Sequence, residues 1–126
     1  MSTIVGVGVD LCEVDRLRRT LARTPGFATR VYTDAEREHC GRRRDPAEGL
    51  AARFAAKEAV LKALGRGIGA CALRDIEVVR AASGAPSLAL HDSAARLAAE
   101  HGVSAWHVSL SHTATMAEAV VIALGD

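Results

Sequence analysis

The chain has 126 residues, 49% of them apolar, which predicts one globular domain with a modest core rather than a disordered chain. The formal net charge of +1 hides an asymmetry: residues 1–66 hold 13 Lys or Arg against 9 Asp or Glu, and residues 67–126 hold 3 against 6. Few aromatics and a low overall charge argue against nucleic-acid binding, and the absence of a signal peptide or long apolar run argues against a membrane protein. Three widely spaced cysteines are typical of a cytoplasmic protein without disulfides or a zinc site: Cys12, Cys40 and Cys71.

The first predicted element is a strand over residues 3–10, where side chains alternate between two faces. Valines form one face, and the other carries two glycines followed by an acid: Gly6, Gly8 and Asp10. Glycine has no side chain, so this second face allows another backbone or a ligand to approach closely beside Asp10.

A helix is predicted over about residues 12–24, ending near Pro25-Gly26. Arg16, Arg19 and Arg23 are spaced three and four apart and therefore line one face of it. A second helix is predicted to begin after Thr33, whose side chain can cap it, and acids follow in its first turn.

The central predicted helix, about residues 47–64, has apolar side chains nearly all round. Its small-residue stripe suits close packing and consists of Ala52, Ala56, Ala59 and Ala63. The same helix carries Arg53, Lys57, Glu58 and Lys62, and these charges cannot all reach bulk water. The pattern predicts a site for a polyanion and a metal, with the three basic residues and the run Arg42-Arg43-Arg44 available to hold phosphates.

The second half begins with a glycine loop, residues 65–69, which alone is a weak phosphate-loop signal. A hairpin is predicted from Ile76–Arg80 and residues 87–90, and then a helix capped by Asp92. Two further strands cover about residues 106–111 and 116–124. The order of elements predicts an α+β fold, with an antiparallel sheet packed against helices in a single domain over residues 1–126.

Asp10 and Glu58 come from different elements and form a natural pair of ligands for a hard ion such as Mg²⁺. The alternative makes Asp10 a helix N-cap and pairs Glu58 with Lys62 one turn later. His112 comes at or after a strand end, where it could reach a site or serve as a structural residue. A serine–histidine hydrolase is disfavoured because the chain has no G-x-S-x-G motif.

Read together, five segments resemble the holo-(acyl-carrier-protein) synthases, the short, single-repeat class of the 4′-phosphopantetheinyl transferase family. These segments are Gly6-Val-Gly-Val-Asp10, Arg53-Phe-Ala-Ala-Lys-Glu58, Lys62-Ala-Leu-Gly65, Gly84-Ala-Pro86 and His107-Val-Ser-Leu-Ser-His112. The resemblance covers about residues 4–124, with the motifs in family order. It implies the family fold and Mg²⁺-dependent transfer of phosphopantetheine from coenzyme A to a serine of apo acyl carrier protein, which leaves adenosine 3′,5′-bisphosphate.

The resemblance also implies roles for individual residues. Asp10 and Glu58 match the family's metal ligands, and Glu58, Lys62 and His112 match its catalytic positions. The residues that match the coenzyme A pocket are Arg44, Arg53, Lys62, Gly65, Gly67, Gly84, Pro86 and His112. The helix with Arg16, Arg19 and Arg23 matches the carrier-protein docking element, and a homotrimer with sites between protomers is implied. Ala85 stands where many relatives have lysine.

Two alternative functions stay open from the residues. One is a Mg²⁺-dependent nucleotide pyrophosphohydrolase, although the chain has no dense glutamate cluster of the kind that activates water between metals. The other is a non-catalytic, nucleotide-responsive module that binds an acidic helical partner.

Overall fold

The computed structural model, which describes residues 2–126, has an α+β fold. The strands are β1 (Thr3–Glu13), β2 (Ile76–Arg80), β3 (Pro86–Leu90), β4 (Ala105–His112) and β5 (Met116–Gly125). The helices are α1 (Val14–Arg23), α2 (Phe27–Val31), α3 (Asp34–Gly41), α4 (Pro46–Ala63) and α5 (Asp92–Glu100), and a 3₁₀ turn covers Leu73–Asp75. Within the described residues, no helix has the length and apolar character needed to cross a membrane.

Strand β1 is one edge of an antiparallel three-stranded sheet with the order β1-β5-β4. A Cβ atom built at Gly6 would lie 1.8 Å from the carbonyl oxygen of Ala63, and one at Gly8 would lie 1.9 Å from that of Ala59. Both distances are far below van der Waals contact, so the strand must have glycine at these points. The predicted close approach is confirmed, and its partner is the backbone of α4. It brings Asp10 directly beside that helix.

Helix α4 is buried along most of its length, as its apolar pattern predicted. Its alanine stripe faces the sheet, and its leucines complete two adjoining hydrophobic clusters. The side chain of Asp45 caps its first turn by accepting the Ala47 N–H at 3.1 Å, and Pro46 occupies the first helical position. Because α4 is surrounded by protein, every charged side chain on it needs either a partner or an opening to solvent.

Two local predictions need correction. The short helix α2 was not predicted, because Pro25-Gly26 indicated a stop; Gly26 instead adopts φ 83° and accepts the Arg30 N–H, which starts a new helical turn at once. Asp92 was predicted to cap α5, but the N-cap is His91, and Asp92 is the first helical residue. The first turn is satisfied by Asp75, which accepts both the backbone N–H and the hydroxyl of Ser93.

The sheet face that points away from α4 is apolar and open. On β1 it exposes Val5, Val7, Val9 and Leu11. The strand register continues this face onto β5, where Ile122 lies opposite Val7 and Val120 opposite Val9. A contiguous apolar surface of this kind marks a place where another molecule packs.

Candidate active site

The centre of the candidate site is the contact between Asp10 and Lys62. The Lys62 ammonium donates to Asp10 Oδ1 at 2.6 Å and to the carbonyl oxygen of Val9 at 3.3 Å. The Asp10 side chain is only 10% exposed, whereas that of Lys62 is 53% exposed. The second carboxylate oxygen of Asp10, Oδ2, is buried and has no hydrogen-bond partner among residues 2–126. Asp10 is therefore held by a cation on one side only.

Glu58 lies beside this contact, and its burial and the charges of Asp10 and Lys62 change its pKa. Partial burial and then the nearby Asp10 carboxylate raise the pKa of Glu58, while Lys62 and Arg16 oppose that rise. Hydrogen bonding from Lys62 to Asp10 raises the pKa of Lys62, so its ammonium stays charged. Two adjacent carboxylates, one largely and one partly buried, with a single bonded ammonium favour the arrival of a further cation or a proton. The alternatives in which Asp10 caps a helix are wrong, since Glu13 is the N-cap of α1.

A cavity of about 550 Å³ opens onto these carboxylates. Its charged lining residues are Asp10, Glu58, Glu13 and Arg16. Its apolar lining residues are Leu11, Leu17, Phe27, Phe54, Ile68 and Met116. The cavity can therefore take a molecule that has a charged portion next to an apolar or flexible portion.

The carboxylate pair fits a hard divalent cation. Asp10 supplies one oxygen that is buried without a partner, Glu58 supplies a second carboxylate, and all the donors are oxygens. Residues 2–126 contain no cluster of three or more His, Cys, Asp or Glu suited to hold a metal on their own. A cation here would thus take the rest of its ligands from water or substrate, which is the usual situation for Mg²⁺.

The structure puts Arg53 at a different place from the carboxylate pair. Arg53 is buried, donates to the Gly49 carbonyl oxygen at 3.3 Å and leaves its Nε without a partner. It lines a second cavity of about 260 Å³ together with Arg42, Arg80 and His39. Burial and then the neighbouring arginines lower the pKa of both Arg80 and His39. The same cavity is also lined by three acids, Glu36, Glu38 and Glu77, and Glu38 accepts a hydrogen bond from Arg42. Among the described residues no acid pairs with Arg53 or Arg80, so these two guanidinium groups are suited to an anion.

The remaining residues matched to a coenzyme A pocket lie in the β2–β3 hairpin and in the loops that flank α4. Gly84 sits in the β2–β3 turn with φ 88°, and its carbonyl oxygen accepts the Arg80 guanidinium at 2.6 Å. Pro86 pairs with Arg80 across the hairpin, which places both beside the second cavity. Gly65, with φ 68°, and Gly67 belong to the loop that leaves α4 just after Lys62. Arg44 is exposed in the loop between α3 and α4.

His112 is not brought to the carboxylate pair within one chain. It ends β4, and β5 separates β4 from β1, so about 10 Å of sheet lies between its strand and that of Asp10. It is not among the described residues that line the cavity at Asp10. Its Nδ1 lies 3.9 Å from a carboxylate oxygen of Glu48, in the first turn of α4. A site containing His112, Asp10 and Glu58 therefore needs a second copy of the chain or a ligand that reaches across.

Lys57 was expected to contact phosphate, and this expectation is wrong. Its ammonium is fully buried and donates to Glu36 at 2.9 Å and to the carbonyl oxygens of Leu73 and Ile76. Glu36 also accepts the N–H groups of Thr33 and Val78, and it completes a capping box with Thr33. Sequence reasoning found the Thr33 cap but missed that its glutamate reaches Lys57, which is 21 residues away along the chain.

The predicted arginine face of α1 is present at the surface. Arg16, Arg19 and Arg23 are exposed, while Val14 and Leu17 bury the opposite face of the helix. Arg16 also lines the cavity at Asp10, so the arginine face is continuous with the candidate site. Positive charge at this position is suited to an acidic partner that must reach the cavity.

Comparisons with known proteins find relatives of a single family. The family model of the 4′-phosphopantetheinyl transferase superfamily matches residues 6–124. A holo-(acyl-carrier-protein) synthase of Moorella thermoacetica is 49% identical over 115 residues, covering 91% of this chain and 90% of the relative. Another, from Streptomyces avermitilis, is 50% identical over 123 residues, covering 98% and 99%. The crystal structure of a holo-(acyl-carrier-protein) synthase from Bacillus anthracis in complex with CoA (3′,5′-ADP) covers 98% of both chains, with a TM-score of 0.80 and 33% identity.

Proposed function

The chain belongs to the 4′-phosphopantetheinyl transferase superfamily, and from this premise we propose that it is a holo-(acyl-carrier-protein) synthase. It transfers the 4′-phosphopantetheine group of coenzyme A to a serine of apo acyl carrier protein and releases adenosine 3′,5′-bisphosphate. The observation that carries this proposal is the Asp10–Glu58 carboxylate pair, with its unpartnered buried oxygen, at the wall of a cavity that continues onto the arginine face of α1.

Asp10 and Glu58 are the proposed metal ligands, with water and the coenzyme A pyrophosphate completing the shell. When bound there, Mg²⁺ supplies the charge neutralisation that phosphoryl transfer needs. The two carboxylates fix the position of that charge. The burial of Asp10 supports this role, because the attraction between a carboxylate and a cation is stronger where less water surrounds them.

Lys62 is proposed to stabilise the leaving bisphosphate as its charge develops. Its ammonium is half-exposed on a long side chain and follows the carboxylates directly along α4, so it can reach a phosphate at the cavity mouth. Glu58, directly or through a bound water, is the first candidate for the general base that takes the serine proton, because it lines the cavity beside Asp10. His112 is the second candidate. Its Nδ1 lies 3.9 Å from a carboxylate oxygen of Glu48.

The nucleotide end of coenzyme A is proposed to contact Arg44, Arg53, Gly84, Pro86 and His112, with Gly65 and Gly67 near the pyrophosphate. The supporting observation is the second cavity, where Arg53 and Arg80 lack carboxylate partners, so their charges are available to a phosphate. In a single chain Arg53 and the carboxylate pair line separate cavities.

We propose a homotrimer with its sites between protomers. The apolar sheet face that includes Val5, Val7 and Val9 is open in the single chain, and burying it against other copies removes that surface from water. The separation of His112 from Asp10 within one chain also supports a site to which two protomers contribute. Light scattering on active protein tests this, and a stable, active monomer would contradict it.

The function is tested by incubating the protein with coenzyme A, Mg²⁺ and apo acyl carrier protein, and then weighing the carrier by mass spectrometry. The expected result is a gain equal to one phosphopantetheinyl group, with equimolar adenosine 3′,5′-bisphosphate. Consumption of coenzyme A without modification of the carrier would indicate a pyrophosphohydrolase instead. Binding of both molecules without any reaction would indicate a non-catalytic module.

A further inference from the structure

Lys62 is bonded to the carboxylate that would hold a metal at the proposed site. Its ammonium donates to Asp10 Oδ1 at 2.6 Å, and Glu58 lies in the same cavity wall. A divalent cation held by Asp10 would therefore stand within a few ångströms of this ammonium. At such a distance two positive charges repel strongly, because the partly buried surroundings screen them much less than bulk water does.

The side chain of Lys62 is able to leave. It is 53% exposed, and within the described part of the chain its only other hydrogen bond is a longer one of 3.3 Å to the Val9 carbonyl oxygen. A lysine carries its charge on a flexible four-carbon stem, so the ammonium can swing to another anion with little change in the backbone. Lys57, five residues earlier on α4, cannot do so, because it is fully buried and all three of its donors are engaged.

We propose that Lys62 is a resident counter-ion of the metal site, which weakens Mg²⁺ binding to the free protein and moves to a phosphate when coenzyme A binds. This inference rests on the proposed function for the identity of the metal and of the phosphate. It adds that metal and coenzyme A bind cooperatively, because the pyrophosphate removes the cation that competes for Asp10. By linkage, Mg²⁺ must then raise the affinity for coenzyme A by the same factor.

The test is a calorimetric titration of Mg²⁺ alone into the substrate-free protein. Lys62→Met keeps the length of the side chain and removes its charge, and we expect it to bind Mg²⁺ at least about 10-fold more tightly than the wild type. Lys62→Arg keeps the charge and should stay within about 3-fold of the wild type. Lys62→Gln serves as a second neutral variant, and thermal unfolding with and without Mg²⁺ confirms that each variant is folded.

The position of the ion is checked with the double variant Lys62→Met with Asp10→Asn. It should lose the tight binding seen in Lys62→Met, because it lacks the ligand that Lys62 had occupied. Tight binding that persisted in the double variant would place the ion elsewhere and overturn the proposal. Equal or weaker Mg²⁺ binding by the neutral variants, or no detectable binding by any of them, would overturn it as well.

Cooperativity is measured as the ratio of coenzyme A dissociation constants without and with Mg²⁺. Because coenzyme A itself chelates Mg²⁺, the informative quantity is the difference between proteins, and we expect a larger ratio for the wild type than for Lys62→Met. If the wild type and Lys62→Met gave equal ratios, the proposal that Lys62 moves from Asp10 to a phosphate would be overturned. None of these outcomes decides the transferase reaction, which the mass of the carrier protein tests separately.

Discussion

Two lysines five residues apart on α4 have opposite surroundings. Lys57 is fully buried, and its three donors meet a carboxylate and two carbonyl oxygens. Lys62 is half-exposed and bonded to a carboxylate whose second oxygen is buried without a partner. The first arrangement is complete without any other molecule, whereas the second leaves buried hydrogen-bonding capacity unused. That difference separates a structural ion pair from a candidate binding site more clearly than charge or burial alone.

The largest expected effect is on stability, from Lys57→Met. Removing the ammonium leaves Glu36 charged and buried, a change that typically costs about 3–5 kcal/mol in free energy of unfolding. Urea unfolding at fixed protein concentration measures it. The matched control is Lys62→Met on the same helix, where we expect a change within about 1 kcal/mol because that ion pair is partly exposed.

Adding Glu36→Gln to Lys57→Met sharpens the same comparison. The double variant has no buried charge left at this point, so it should recover part of the lost stability. A single Lys57→Met variant as stable as Lys62→Met would contradict the structural role assigned to the buried pair.

The next effect is on turnover, from Asp10→Asn and Glu58→Gln. Each removes one anionic ligand from the proposed metal site, and we expect kcat to fall at least about 100-fold, or about 2.7 kcal/mol in activation free energy. Thermal unfolding should show that both variants remain folded. Near-normal activity of both at low Mg²⁺ would remove the metal from this site.

A smaller effect is expected at the arginine face of α1. Arg16→Glu with Arg23→Glu should raise the apparent KM for acyl carrier protein about 10-fold, because charge complementarity mainly accelerates association. The KM for coenzyme A should change little. Wild-type activity at low carrier concentration should fall as salt rises from about 0.05 to 0.5 M, with a flatter dependence in the double variant.

The control for this prediction is Arg18→Gln, since Arg18 lies on the same helix but is engaged with Asp15 and Asp45. It should alter the salt dependence less than the double variant. Equal increases in both substrates' KM values would indicate that Arg16 and Arg23 act through the structure of the helix instead.

The smallest expected effect is a pH-dependent gain in stability from Glu58→Gln in metal-free buffer. The pKa of Glu58 is raised in the folded protein, so the stability that its neutral form provides is complete below the ordinary glutamate pKa and is lost as pH rises through the folded value. A permanently neutral glutamine escapes that loss. The advantage of the variant in Tm should therefore be greater at about pH 8 than at about pH 5. Glu38→Gln, at an exposed position, is the control, and equal advantages at both pH values would contradict the raised pKa.

Local patterns predicted much of the fold and the centre of the site. The alternation in β1 and the alanine stripe of α4 predicted the close packing at Gly6 and Gly8, which is the contact that brings Asp10 to α4. The partners that sequence reasoning missed are distant along the chain. Glu36 reaches Lys57 across 21 residues, and Asp75 rather than Asp92 satisfies the first turn of α5.

The distance of His112 from Asp10 depends on the order of the strands in the sheet. The sequence pattern around His112 does not contain that order. The pattern correctly predicted a strand ending near His112, but only the arrangement β1-β5-β4 separates it from Asp10. The same limit applies to Arg53 and Glu58. They are five residues apart on one helix and therefore point in different directions, but which cavity each one lines depends on the surrounding elements.

The approach of β1 to α4 also determines which mutations this strand can accept. A library randomised at positions 6 and 8 should return glycine almost alone, because even a methyl group would collide with a helix carbonyl. A library at positions 7 and 9 should return a range of apolar residues, since those side chains point away from the helix. The number of residue types accepted at each position of β1 should therefore alternate with a period of two residues. Sequencing the variants that pass a selection for folded protein would then show which face of the strand packs against the helix.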